Sequence, residues 1–193
     1  MPYKAVLGIL AAVISFIAYI PYLRDVFKHK TKPHFFTWFV WSFIVGLAFF
    51  AQIKEGAGYG AWVTGVTAVI CMSIAILSFS YGEKNIRKID WLYFLLALIG
   101  LWGWRVTNNP LVAVIMVIIA DALAFAPTLH KGYHKPYEDT LSTWILNSLK
   151  FMIALVALES YTLTTYLYPA SLIITNGAMA IILLVRRKVI SKK

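Results

Sequence analysis

The chain has 193 residues, of which 61% are apolar and 16% aromatic, only 13% are charged, and the mean hydropathy is +0.75. Such a composition excludes an ordinary soluble domain and makes lipid the solvent for most of the chain. Eighteen Lys and Arg against eight Asp and Glu leave a net charge of +10, but short connections between apolar runs cannot build the folded basic face that nucleic acid requires, so that partner is excluded.

Apolar runs fall at 5–23, 35–53, 61–80, 91–105, 110–129, 140–158 and 165–185. In a bilayer every backbone N–H and C=O is paired within its own segment or around a closed barrel, so runs of about 20 residues read as helices. The period-two alternation of a barrel is not evident. The expected fold class is an all-α integral membrane protein of seven transmembrane helices.

The first run is read as a span and not a secretory signal. Pro2-Tyr3-Lys4 is a poor n-region, the run is long, and no small-residue cleavage site precedes the basic loop. Pro21 stands near its end, where a proline either terminates a helix or loosens it by removing one backbone hydrogen bond. The second run carries Thr37, Trp38, Trp41 and Ser42, with both tryptophans and Ser42 on one helical stripe. Thr67 and the lone Cys71 lie in the third run; a single cysteine permits no intramolecular disulfide and reads as a small buried hydrophobe.

The fourth run is the shortest, sits between GEKNIRKID and TNNP, and reads as a linker helix. The fifth carries Asp121 in VIIADALAF and reaches Pro127. A carboxylate near mid-membrane costs roughly 2.5–3.5 kcal/mol on insertion scales, so it is retained for a reason. The sixth follows Asp139, an expected helix N-cap, and carries Thr143, Trp144, Asn147, Ser148 and Lys150. Depths counted from the shared loop bring Lys150 within reach of Asp121, so the two are expected to form an ion pair that fixes the packing of helices five and six, or to couple transport to protons or recognise a charged group. Asn176, in LIITNGAMAII of the seventh run, is a lone amide among aliphatic residues that needs a helix or a ligand as partner.

Counting Lys and Arg on alternate sides of seven spans gives a sharp bias. One side takes Arg24, Lys28, Lys30, Lys32, Lys84, Arg87, Lys88, Lys131, Lys135, Arg186, Arg187, Lys188, Lys192 and Lys193; the other takes Lys4, Lys54 and Arg105. The positive-inside rule then sets the N-terminus outside and the C-terminus in the cytoplasm, with a bacterial inner (plasma) membrane as the expected location.

A constant offset of 106 pairs Pro21 with Pro127, Leu23 with Leu129, Thr37 with Thr143, Trp38 with Trp144 and Ser42 with Ser148. It superimposes spans one and two on five and six without a gap, and span three then corresponds to seven, with Thr67 opposite Asn176 once a small loop-length difference is allowed. Two halves four spans apart share one orientation, so the expected organisation is parallel repeats: 1–81 a three-helix bundle, 82–108 a linker helix, 109–193 a second bundle with a basic tail.

This arrangement, with a proline at the cytoplasmic end of the first helix of each repeat followed by a short basic loop, resembles the SWEET and PQ-loop transporter superfamily across nearly the whole chain. Tyr22 and Thr128 stand where the PQ-loop glutamine would follow each proline. The resemblance implies transport of a small polar metabolite, a sugar or an amino-acid-like solute, by alternating access between the bundles, with Pro21 and Pro127 as gate hinges. Trp41, Asn147, Thr67, Asn176, Trp38 and Trp144 are the expected substrate contacts. It equally admits a receptor of the KDEL-receptor type, which binds without net transport. The expected partners are the solute, the bilayer, protons if transport is coupled and, as a further candidate, a second copy of the chain in a homo-oligomer. No paired carboxylates, nucleophile triad or metal cluster converges on one depth, so neither an enzyme nor a cofactor or metal site is expected. The histidines His29, His34, His130 and His134 read as solvated loop residues.

Overall fold

Helices account for nearly all of the structure, a computed structural model that describes residues 2–29, 33, 35–82, 88–134 and 136–190. They are α1 (Pro2–Phe27), α2 (Phe35–Lys54), α3 (Trp62–Tyr81), α4 (Lys88–Thr107), α5 (Pro110–His134), α6 (Leu141–Ala157) and α7 (Leu163–Val189), with short 3-10 turns at Gly58–Ala61 and Pro136–Glu138. Among the described residues there is no strand. The segments Pro2–Phe27, Phe35–Lys54, Gly58–Tyr81 and Leu163–Val189 are long and apolar enough to cross a membrane; the apolar stretches Trp91–Thr107, Pro110–Phe125 and Leu141–Ala157 are shorter. Of the basic residues counted above, Lys30, Lys32, Lys84, Arg87, Lys135, Lys192 and Lys193 lie outside the described residues, as does His34.

Several helices outrun their apolar cores. α1 continues six residues past Pro21, and α5 continues past Pro127 to His134, so the first prolines do not end their helices. Hydropathy marks where lipid ends, but residues such as Arg24 and Lys28 pair their backbone as readily at headgroup depth as below it. Asp139 does not cap α6. Thr140 is the N-cap and its side chain makes no capping bond, and the Asp139 carboxylate instead accepts from the Trp144 indole. α7, by contrast, opens on a reciprocal capping box between Thr162 and Thr165.

The packing is inverted relative to a soluble bundle. Ser15, Gln52, Thr64, Ser78, Lys150 and Thr165 are fully buried, whereas Val69, Ile76, Trp102, Ile174 and Ile181 are exposed. Water would make that outer surface an aggregation hazard, and lipid makes it a solvated one. Small residues let the backbones close up: Ala48 and Ala51 of α2 and Ala154 and Ala157 of α6 are all fully buried, and the two pairs are again 106 residues apart.

Side-chain contacts give the threading. His29 and Phe27, at the end of α1, meet Tyr81 at the end of α3, while Gly8 near the start of α1 lies against Tyr59 just before α3. Arg186 of α7 reaches the Tyr133 carbonyl at the end of α5. Phe35, opening α2, packs on Phe79 of α3, and Phe36 on Trp91 of α4. Hence α1 and α3 run one way, α2 and α4 the other, and α5 runs with α7. Helix contacts come in matched sets under the 106-residue offset: α1 with α3 and α5 with α7, α2 with α3 and α6 with α7, α1 with α6 and α5 with α2. α4 packs on α5 and α2.

Candidate functional site

A cavity of about 390 Å³ opens where α1, α2, α3, α5, α6 and α7 converge. α4 contributes none of its described lining residues. Its polar mouth is formed by Asp25 near the end of α1 and by Asp139 and Thr140 ahead of α6; its inner wall carries Thr67, Lys150 and Tyr168. The mouth lies on the face that holds the ends of α1, α3 and α7, with Arg24 of α1 and Arg186, Arg187 and Lys188 of α7.

Aromatic pairs flank the passage at equivalent positions. Tyr19 and Trp38 meet edge to face at 6.2 Å, and Phe125 and Trp144, each 106 residues later, do so at 5.5 Å. Trp41 stands at right angles to Trp38, 5.2 Å away. The Trp38 indole donates to the Tyr22 hydroxyl at 3.1 Å, and the Trp144 indole donates to Asp139 Oδ1 at 3.2 Å. Both outer tryptophans are thus held by a partner at the mouth. Such fixing of an amphipathic ring is what a rigid binding wall needs.

Thr67 and Asn176, the expected counterparts in the third helix of each half, both line the cavity and behave alike. Thr67 Oγ1 donates to the Val63 carbonyl at 2.7 Å, and Asn176 Nδ2 donates to the Leu172 carbonyl at 2.7 Å, one turn back in each case. The Thr67 oxygen and the Asn176 amide oxygen are left as acceptors. Lys150 uses the first: its Nζ donates to Thr67 Oγ1 at 3.1 Å and sits 5.1 Å and 4.9 Å from the ring centres of Tyr19 and Phe151.

That placement corrects the expected Asp121–Lys150 ion pair. Both residues line the cavity, but the ammonium swings toward α1 and α3 and not toward α5. Among the described residues the only ion pair is Arg24–Asp25 at 3.1 Å, near the surface. Depth along a helix was readable from residue counts, whereas the direction of a long flexible stem was set by helix rotation and by the hydroxyl and rings it could reach.

Trp41 and Asn147 stand 106 residues apart, and each carries a buried polar atom without a hydrogen-bond partner: the Trp41 indole N–H and the Asn147 amide oxygen. One is a donor and the other an acceptor. Leaving either unpaired costs about 1–3 kcal/mol, so two at matching positions around one cavity require an explanation. Ser42 and Ser148, on the same stripes, are instead satisfied by the carbonyls of Phe39 and Ile173 and do not line the cavity. Pro21 lies between the lining Tyr19 and Tyr22; Pro127 follows Phe125 by two residues, and its side chain lies outside the described residues.

The end of the bundle away from the mouth is closed. Lys4 Nζ donates to the Leu158 carbonyl, Glu159 N to the Ala57 carbonyl at 3.0 Å, and Gln52 Nε2 to the Thr165 carbonyl at 3.2 Å. A Cβ built on Gly60 would stand 2.6 Å from the Leu158 side chain and 2.8 Å from the Ala154 carbonyl, so only glycine permits that approach.

Residues not singled out from the sequence also form the wall. Tyr19, Tyr22, Asp25, Tyr168 and Thr175 line the cavity, and Cys71, buried as expected, lines it too. The signal for Tyr19 was available in the offset, which sets it opposite Phe125. Tyr168 carried none, because an aromatic in an apolar helix has no readable facing until its neighbours are known. His130 and His134, expected in a loop, lie on α5 with their rings 4.5 Å apart and tilted, and among the described residues no group of three or more His, Cys, Asp or Glu could hold a metal. No protein-family model matches the chain, and neither does any curated protein or solved structure.

Proposed function

We propose that the chain is a seven-span membrane transporter of SWEET and PQ-loop type, organised as two parallel three-helix repeats (1–81 and 109–193) joined by a linker helix (82–108). It moves a small polar metabolite, a sugar or an amino-acid-like solute, by alternating access. Its proposed setting is a bacterial inner membrane with the N-terminus outside and the C-terminus cytoplasmic, which puts Arg24, Lys28, Lys88, Arg186, Arg187 and Lys188 inside with the cavity mouth. In this reading the described conformation is open to the cytoplasm and sealed outside by Gly60, Leu158 and Lys4. Pro21 and Pro127 flex the inner gate, Trp38, Trp41, Thr67, Trp144, Asn147 and Asn176 contact the solute, and Asp121 and Lys150 serve charge recognition or coupling.

The observation that carries the proposal is the one cavity walled by both halves, in which repeat-equivalent Trp41 and Asn147 hold an unpaired donor and an unpaired acceptor. A solute with hydroxyl, amine or carboxyl groups supplies both partners, and lipid tails supply neither. The test is flux in proteoliposomes across sugars, amino acids and nucleosides. Uptake of at least one of these, reduced by Asn147→Ala, is the expected result. No flux of any of them overturns the proposal, and saturable binding without flux assigns the chain to receptors of the KDEL-receptor kind.

A further inference from the structure

Two charged side chains of the cavity narrow the solute class. Lys150 is 0% exposed, and its described contacts are one hydroxyl and two ring faces. A hydroxyl and π-faces solvate an ammonium without neutralising it, and an ammonium away from water is held at low cost only with an anion beside it. Asp121, on another helix, also faces the cavity and has no hydrogen bond or ion pair among the described residues. The cation and the anion therefore line one chamber without meeting each other.

A neutral sugar would leave both charges without a counter-ion. A simple amine would satisfy Asp121 alone, and a simple carboxylate Lys150 alone. An occupant with an anion and a cation on one small skeleton satisfies both, and the rest of the chamber is walled by the rings of Trp38, Trp41, Trp144, Phe125 and Tyr168, which favour a large apolar or aromatic substituent. We infer that the solute is a zwitterionic α-amino acid with a bulky apolar side chain, its carboxylate on Lys150 and its ammonium on Asp121. This rests on the proposal that the cavity is a binding site; it goes further by fixing the class and the polarity of the ligand in the chamber.

The test measures ligand-induced thermal stabilisation of the full chain in lipid nanodiscs by L-tryptophan, L-phenylalanine, tryptamine, indole-3-propionate, glucose and uridine. L-Tryptophan is expected to bind about tenfold to a hundredfold more tightly than either tryptamine or indole-3-propionate, the range for losing one hydrogen bond to a charged group. Lys150→Gln should abolish the preference over tryptamine and keep the preference over indole-3-propionate; Asp121→Asn should do the reverse. Each comparison is made within one variant, so a general loss of stability cannot imitate it, and either variant alone decides the matter if the other fails to fold. Stabilisation by glucose or uridine and by neither amino acid overturns the inference while leaving transport intact. So does amino-acid binding that both variants weaken for all ligands alike, and a panel without any hit overturns it outright. The crossed pattern without flux in liposomes keeps the inference and removes the transporter.

Discussion

Trp41 and Asn147 are the residues at which binding and stability should part company. An indole N–H without an acceptor is a standing cost in the empty protein, and it becomes a gain when a solute supplies one. Trp41→Phe keeps a ring in the wall and deletes the donor. It should leave the empty protein as stable as the parent or up to about 2 kcal/mol more stable, and weaken solute binding about tenfold; thermal unfolding with and without solute checks both. A variant that loses stability and keeps its affinity would make Trp41 a packing residue. At this scale a good part of the site was legible. The offset of 106 put Trp41 opposite Asn147, a small loop-length difference put Thr67 opposite Asn176, and all four face one cavity. The direction of Lys150 was not legible, because its head group lies several bonds from the backbone and settles on a hydroxyl and two rings instead of the carboxylate. Nor was the role of Asp139: an acidic residue ahead of a helix reads as a cap, and the competing indole of Trp144 becomes visible only once that helix is in place.

Among the elements, α1 carries its proline inside the helix, six residues short of the end. The missing N–H leaves one carbonyl of the preceding turn without its helical donor, so the segment after Pro21 is the softest point of α1. Pro21→Ala restores that bond. The expected outcome is a higher melting temperature together with a flux several-fold slower, because the proposed inner gate is stiffened; unchanged flux would leave Pro21 as a passive feature of the helix. The seal at the opposite end offers a complementary test. Gly60→Val places carbon atoms where Leu158 and the Ala154 carbonyl already stand, an overpacking that costs about 1–3 kcal/mol. In a Ser160→Cys background it should raise modification of the new thiol by a membrane-impermeant reagent added outside, and an unaltered labelling rate would show that the seal does not run through Gly60. The helix boundaries themselves were legible only in part, since hydropathy records where the apolar run stops while α1, α5 and α7 continue into polar sequence.

For the whole molecule, the decisive feature is that helix contacts pair off under one shift of the sequence, α1 with α6 matching α5 with α2, and α4 standing outside the pairing. The sequence carried the shift because α2 and α6 keep Thr, Trp, Ser and buried Ala at identical spacing. It did not carry which helices would touch, because small buried residues mark a close approach without naming the partner. Two halves with the same direction through the membrane need a single connecting helix, and that makes the number of crossings odd. The most direct measurement is therefore the sidedness of the two chain ends. With Cys71 replaced by Ser, single cysteines at Tyr3 and at Lys188, both at or near the ends of the described helices, are labelled with an impermeant reagent in intact spheroplasts and in inverted membrane vesicles. Parallel repeats predict that Tyr3→Cys reacts in spheroplasts and Lys188→Cys in inverted vesicles. Reaction of both in the same preparation would put the ends on one face, make the number of crossings even, and contradict the parallel repeat on which the proposed transport depends.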